Sequence, residues 1–286
     1  MKTLIWSVAW GDYRYMMQSL MNSIRDVGIE HDLLTFSDEP LTNVISCELD
    51  KTIEMDFKQY WKFNYLKKIK ELNYDLFVFI DSDHFFVRKP EKDFKDIIGQ
   101  DSWHSFLESP INSSRTKRQD WWGLANAEMV KLYRDFGVSQ NIVYSTNGGF
   151  WMCKKEFAQH AAHVGFLFRD FQKSKGLNLP EEVAIAVLSH MFSLNYEDRF
   201  HSQYTDIWAS EWTGALKDIL PNGSPWIFQE YMTNERISVN PAIVHAMRSK
   251  QALANVGKQI FSSNERSFVS WEEAKQISEL VEGEIS

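Results

Sequence analysis

Asp81-Ser82-Asp83 is the stretch of this sequence best equipped for chemistry. Residues two apart in an extended chain point to the same side, so the two carboxylates can converge on one hard cation. They follow Leu76-Phe77-Val78-Phe79-Ile80, an apolar run without alternation, which predicts a strand covered on both faces of a parallel sheet. Open α/β sheets bind ligands beyond the carboxyl ends of such strands, which puts the pair at the mouth of a crevice. An ion held by one or two carboxylates completes its shell with water and substrate phosphates, so Mn²⁺ or Mg²⁺ is the expected cofactor. The competing reading is a solvated turn at a strand end.

Other residues fit around such an ion. His245 ends the apolar run Ala242-Ile243-Val244, and a neutral imidazole is a reasonable third ligand beside two carboxylates. His160, His163 and His201 stand in no metal-ligand context. Arg248 and Lys250 are either solvated charge or cations placed to meet an anionic ligand. Glu181 and Glu182 open a helix after Pro180 and admit three readings. They compensate the helix dipole, they stabilise positive charge that develops on a ligand, or one is a general base for a hydroxyl. Gly148 and Gly149 permit close approach of backbone to ligand, with Asn147 as hydrogen-bonding partner, and a plain β-bulge is the alternative. Trp10 or Tyr13 offers a ring able to stack on a flat ligand, though Trp10 is equally suited to the core.

The elements that must carry these groups are readable from periodicity. Leu4 to Ala9 reads as a strand, Asp12 to Val27 as an amphipathic helix, Asp32 to Phe36 as a strand, Phe57 to Leu72 as a helix, and Leu76 to Ile80 as a third strand. That βαβαβ order predicts a doubly wound, Rossmann-like α/β sheet, mixed but mainly parallel, with helices on both faces. Farther on, strands are expected at Trp103 to Leu107, Gly149 to Cys153 and Ala242 to His245, with helices at Lys155 to Ser174 and Pro180 to Phe192. Ser270 with Glu273 forms a capping box ahead of Trp271, Ala274, Ile277 and Val281. This last helix packs on the body or on a partner, so an oligomer through it is conceivable. One domain over 1–260 is expected, its nucleotide-binding half at 1–100 and its sugar and acceptor half at 101–260, with a helical tail at 261–286.

Composition bounds the partners. The 286 residues carry a formal charge of −8, which disfavours nucleic acid. Two cysteines without a CxxC pair fit a reducing, cytoplasmic setting, and no apolar window is long enough for a transmembrane segment. Aromatic residues make up 14% of the chain, more than a core of this size ordinarily needs. Part of that surplus, Trp121-Trp122 together with Tyr204, Trp208, Trp212 and Trp226, reads for each residue as core packing or as the wall of an acceptor groove, since sugar C–H faces pack on indoles.

The stretch Asp75 to Pro90, with its hydrophobic strand, Asp-x-Asp and second apolar triplet, resembles the core of GT-A glycosyltransferases. Within them it is similar to the retaining family-eight group typified by glycogenin and bacterial galactosyltransferases. Ser145 to Phe150 resembles that group's sugar-lining strand, Pro180-Glu181-Glu182 falls where it has an Asp-Gln, and Val244-His245 with Arg248 and Lys250 resembles its late His-x-x-Gly-x-x-Lys segment. Two departures stand out: the Gly of that last segment is absent, and Lys250 stands five residues after the His instead of six. The resemblance implies a metal-dependent glycosyltransferase acting on a UDP-sugar and a hydroxyl acceptor such as a glycan. It implies Asp81, Asp83 and His245 on the metal, Ser82 on the ribose, Ala9 to Tyr13 at the base, and Lys62 on nucleotide or sugar. A sugar nucleotidyltransferase and a non-catalytic carbohydrate-binding protein are the alternatives.

Overall fold

The computed structural model describes residues 1–55, 58–193, 207–210, 226–229, 232–247, 249–261 and 266–280. In chain order the first elements are β1 (Thr3–Ala9), α1 (Tyr13–Asp26), β2 (Asp32–Ser37), β3 (Ile45–Glu48), α2 (Trp61–Ile69), β4 (Leu76–Ile80) and β5 (His84–Phe86). Then come α3 (Phe94–Ile98), β6 (Trp103–Pro110), β7 (Asp120–Trp121), β8 (Leu124–Ala125), α4 (Asn126–Phe136), β9 (Tyr144–Lys154), α5 (Lys155–Ser174) and α6 (Glu181–Phe192). The described remainder is β10 (Trp208–Ser210), β11 (Trp226–Gln229), β12 (Arg236–Val239), β13 (Ile243–His245), α7 (Lys250–Phe261) and α8 (Trp271–Glu279).

Six strands form the main sheet in the order β3-β2-β1-β4-β9-β6. The first four are mutually parallel, and β9 runs antiparallel to both β4 and β6. The expected mixed, mainly parallel α/β sheet is therefore present. It differs from a simple βαβαβ in one respect, since β2 passes to β3 through 38–44 without a helix. β4 behaves as its unbroken apolar run requires. Phe77 and Phe79 enter the core on one face, while Leu76, Val78 and Ile80 enter it on the other.

Most of the aromatic surplus is interior. Phe79, Trp151 and Trp103 stack in succession, with centroids 5.1 Å apart for Phe79–Trp151 and 4.8 Å for Trp103–Trp151, and Trp6 meets Phe79 edge-to-face at 4.7 Å. Trp208 is also fully buried and stacks toward Phe106, so it is core and not a groove wall. Tyr204 and Trp212, like His201, Phe57 and Val281, lie outside the described residues, as does the side chain of Trp226.

Two features position the chemistry. A three-stranded sheet, β10-β13-β5, sets Ser210, His245 and His84 side by side at its end. Next, α7 lies directly on α1: a Cβ at Gly257 would strike the Tyr15 carbonyl, and Ser19 Oγ donates to Leu253 O at 2.6 Å. Only glycine allows backbones this close, and the contact fixes where the first residue of α7, Lys250, stands. The capping box at Ser270 is formed as expected. Its helix packs on the body, with Ala274 in the core, Trp271 against Phe36, and Lys2 Nζ donating to Ser278 O. No helix among the described residues is long and apolar enough to cross a membrane.

Candidate active site

The site gathers at the carboxyl ends of β1 and β4, with β9 supplying its opening residues from the antiparallel direction. Asp81 N–H donates to Gly149 O at 2.7 Å, which continues the β4–β9 ladder one step past Ile80 and locks the two segments together. The glycines are required by crowding. A Cβ at Gly149 would lie 2.7 Å from His84 Cε1 and 3.1 Å from Asp81 Oδ2, and one at Gly148 would lie 2.9 Å from Glu181 Oε1. They are a close-approach device, not a solvated bulge.

Each carboxylate of the Asp-Ser-Asp stretch carries a lysine. Lys62 Nζ lies 2.9 Å from Asp81 Oδ2 and 2.7 Å from Glu181 Oε1, and it donates to Gly148 O at 3.2 Å. Burial alone would lower the pKa of Lys62, but Asp81 and Glu181 outweigh it and hold the ammonium above its ordinary range. Lys250 Nζ lies 2.6 Å from Asp83 Oδ2. Beside them is a cavity of about 250 Å³ lined by Val8, Ala9, Trp10, Tyr13, Trp61 and Ser82 among others. Trp10 and Tyr13 are exposed there, with Trp10 edge-on to Trp61 at 5.8 Å.

Asp83, His84 and His245 bring ligand-type atoms within 4.8 Å of one another. Asp83 Oδ1 and His84 Nε2 are buried without a hydrogen-bond partner among the described residues, which fits a site that a cation would complete. The imidazoles of His84 and His245 stack at 4.6 Å with planes 7° apart. Imidazole lone pairs lie in the ring plane, so a single ion cannot meet both rings unless one rotates. His245 is the better ligand. Its Nε2 is 3.3 Å from Asp83 Oδ2, and its Nδ1 is 3.1 Å from both Asn147 Nδ2 and Ser210 Oγ. Asn147 Oδ1 accepts from Gly149 N–H at 2.8 Å, so the amide turns its NH₂ toward His245. That NH₂ makes Nδ1 an acceptor and puts the imidazole proton on Nε2, toward Asp83 Oδ2, so a cation on Nε2 would require the proton to move to Nδ1, where the Ser210 hydroxyl is placed to accept it. His84 was not legible as a site residue, because in sequence it opens an apolar strand; here it forms the wall on which His245 rests.

The two glutamates at the start of α6 divide their roles. Glu181 is buried and bound to Lys62; its pKa is raised by burial, with Lys62 pulling it back. Glu182 is partly exposed, accepting from Gly148 N–H at 3.1 Å on Oε2 and from Trp122 Nε1–H at 3.0 Å on Oε1. Burial, then Glu108 and Glu181, raise its pKa well above the ordinary carboxylate range. Glu108, like His84, is a site residue that its sequence context does not announce. It lies one residue past the strand end expected at Leu107, where β6 slips register against β9, and such bulges re-aim side chains. Burial pushes Glu108 up to about 7, and it hydrogen-bonds the Asn147 side chain.

Glu108 has a consequence for stability. A carboxyl raised in the folded state holds its proton longer there than in the unfolded chain, so stability falls as pH rises from about 4.5 through about 7. At 1.36 kcal/mol per unit, ionising it costs up to about 3 kcal/mol. Glu108→Gln is therefore expected to raise the thermal midpoint above about pH 7 and leave it nearly unchanged near pH 4. Melting curves of both proteins across this range check it, and parallel curves would contradict it.

Of the remaining expected residues, Ala9, Trp10, Tyr13 and Ser82 line the cavity with Asp81, Asp83 and Lys250. Lys62 is present but lies behind Asp81, fully buried. Asp81 does not join the Asp83–His84–His245 group. Trp121 is in the core at 2% exposure and offers no face to a ligand, whereas Trp122 is 51% exposed. Arg248 lies outside the described residues. The class that these observations define is a mixed α/β protein with a polar, metal-competent site at the carboxyl edge of its sheet. No protein-family model matches this sequence, and no curated protein matches it.

Proposed function

We propose that this chain is a metal-dependent glycosyltransferase of the GT-A type, moving a sugar from a UDP-sugar to a hydroxyl acceptor. The observation that carries this reading is the meeting of Asp83, His245 and Lys250 with an aromatic-lined cavity beyond the ends of β1 and β4. Asp83 and His245, with Asp81 alongside, would hold Mn²⁺ or Mg²⁺. A cation held there would supply positive charge to the departing diphosphate, in place of a proton donor on that side. Lys250 exchanges its contact with Asp83 for the diphosphate oxygens. Trp10 or Tyr13 stacks on the base, and Ser82 meets the ribose. Lys62 holds Asp81 and Glu181 in fixed orientation beneath the sugar, and Glu182 faces the acceptor. Retention of configuration follows from the likeness to family eight.

Calorimetric titration with UDP, with and without Mn²⁺, tests the reading. UDP binding that depends on Mn²⁺ and is lost in Asp83→Asn supports it. Binding of glycans indifferent to metal and nucleotide would replace it with a carbohydrate-binding protein.

A further inference from the structure

Trp122 sits at the tip of the β7–β8 hairpin, where Trp121 pairs with Leu124 across a two-residue loop. Its φ is 55°, and Gly123 follows at 77°. Positive φ at both loop positions is the type I′ pattern, for which Asn-Gly is the favoured sequence. A bulky L residue is an outlier there. The strained ring is nonetheless half exposed, while its indole N–H is pinned to Glu182 Oε1 at 3.0 Å and the neighbouring Trp121 anchors the hairpin in the core. Strain kept at a surface aromatic that touches a site carboxylate points to binding.

We propose that the exposed face of Trp122 and the carboxylate of Glu182 form a subsite for a neutral pyranose, with the ring's C–H face on the indole and one hydroxyl donating to Glu182. The chemistry selects this ligand class. An indole whose N–H is fixed on a carboxyl group offers a flat apolar face beside oxygens that accept hydrogen bonds, the pairing a neutral sugar uses. A carboxylate has room for further donors beyond Gly148 N–H and the indole N–H. The location suits an acceptor. Glu182 Oε2 holds Gly148, whose carbonyl accepts from Lys62, and Lys62 is bound to Asp81. The acceptor role rests on the transferase reading; the sugar site itself does not.

The test uses the full chain labelled with ¹⁵N at tryptophan, the Trp122 indole signal being identified by its loss in Trp122→Asn. That substitution restores the preferred Asn-Gly turn, so it removes the ring without disfavouring the hairpin. The probes are methyl glycosides of glucose, galactose, mannose and N-acetylglucosamine, with methylammonium as the amine control, since a cation would also suit an indole beside a carboxylate. At least one glycoside is expected to shift the Trp122 signal, and Trp122→Asn to weaken that glycoside about tenfold or more at an unchanged or higher thermal midpoint. A signal unmoved by all four glycosides, one moved by methylammonium alone, or full glycoside affinity in Trp122→Asn overturns the proposal. The Mn²⁺–UDP titration uses neither indole nor glycoside. A chain that binds glycoside without nucleotide keeps this subsite and loses the transferase reading, and the reverse result loses only the subsite.

Discussion

Lys62→Met is expected to cost about 3–5 kcal/mol of folding stability near neutral pH, the range for removing one partner of a buried ion pair. The ammonium is fully buried and bridges Asp81 and Glu181. Methionine fills much of the volume, so the loss is electrostatic and not a cavity effect. Its pH dependence separates the two. Without Lys62, the group that pulls the Glu181 pKa down is gone, so that pKa, already raised by burial, rises further. A carboxyl with a raised folded pKa withdraws stability as pH climbs through the window from its unfolded value of about 4.5 to that folded value. Below about 4.5 it is protonated in both states, and the penalty vanishes. The deficit of Lys62→Met should therefore be largest at about pH 7 and shrink toward pH 4, as read by urea unfolding at both. An equal deficit at both would mean that Lys62 acts through packing alone.

What the sequence revealed of this fold was whatever depends on local pattern. The unbroken apolar run of β4 predicted a strand buried on both faces, and the sheet covers it so. Ser270 and Glu273 predicted a capped helix start, which is a contact between residues three apart. The Asp-Ser-Asp stretch was visible because its spacing and its place after a strand are both local. The missed features depend on distant neighbours. Helix α7 exists where Gly257 lets it rest on Tyr15 of α1, and glycine within a short helix weakens any pattern-based reading. Glu108 became a site residue through a register slip against β9, which no feature of Trp103 to Pro110 announces. Trp121 and Trp122 look alike in sequence, yet the hairpin turns one into the core and the other outward. The division of labour between Glu181 and Glu182 likewise depends on Lys62, which comes from a helix 119 residues away in the chain.

Asp83→Asn is expected to reduce Mn²⁺-dependent UDP binding and sugar transfer about a thousandfold, more than Asp81→Asn does, although the two carboxylates look equivalent in sequence. The asymmetry lies in their surroundings. Asp81 Oδ2 is already engaged by Lys62, which is also fixed on Glu181 and the Gly148 carbonyl and so is not free to leave. Among the described residues, Asp83 has only imidazoles beside it on this side, His245 Nε2 3.3 Å from Oδ2 and His84 Nδ1 3.4 Å from Oδ1. Its Lys250 contact comes from a side chain 40% exposed, able to turn toward a phosphate. Burial pushes the pKa of Asp83 up, yet His245 and His84 beside it hold the carboxyl well below its usual range, so it stays ionised and ready for a cation through the physiological pH window. Asparagine keeps the shape and removes the charge, leaving Lys250 opposite a neutral amide and the ion with one anionic ligand fewer. Calorimetry with UDP and Mn²⁺ on both variants gives the ranking, and a larger loss in Asp81→Asn would move the metal's main anchor to Asp81.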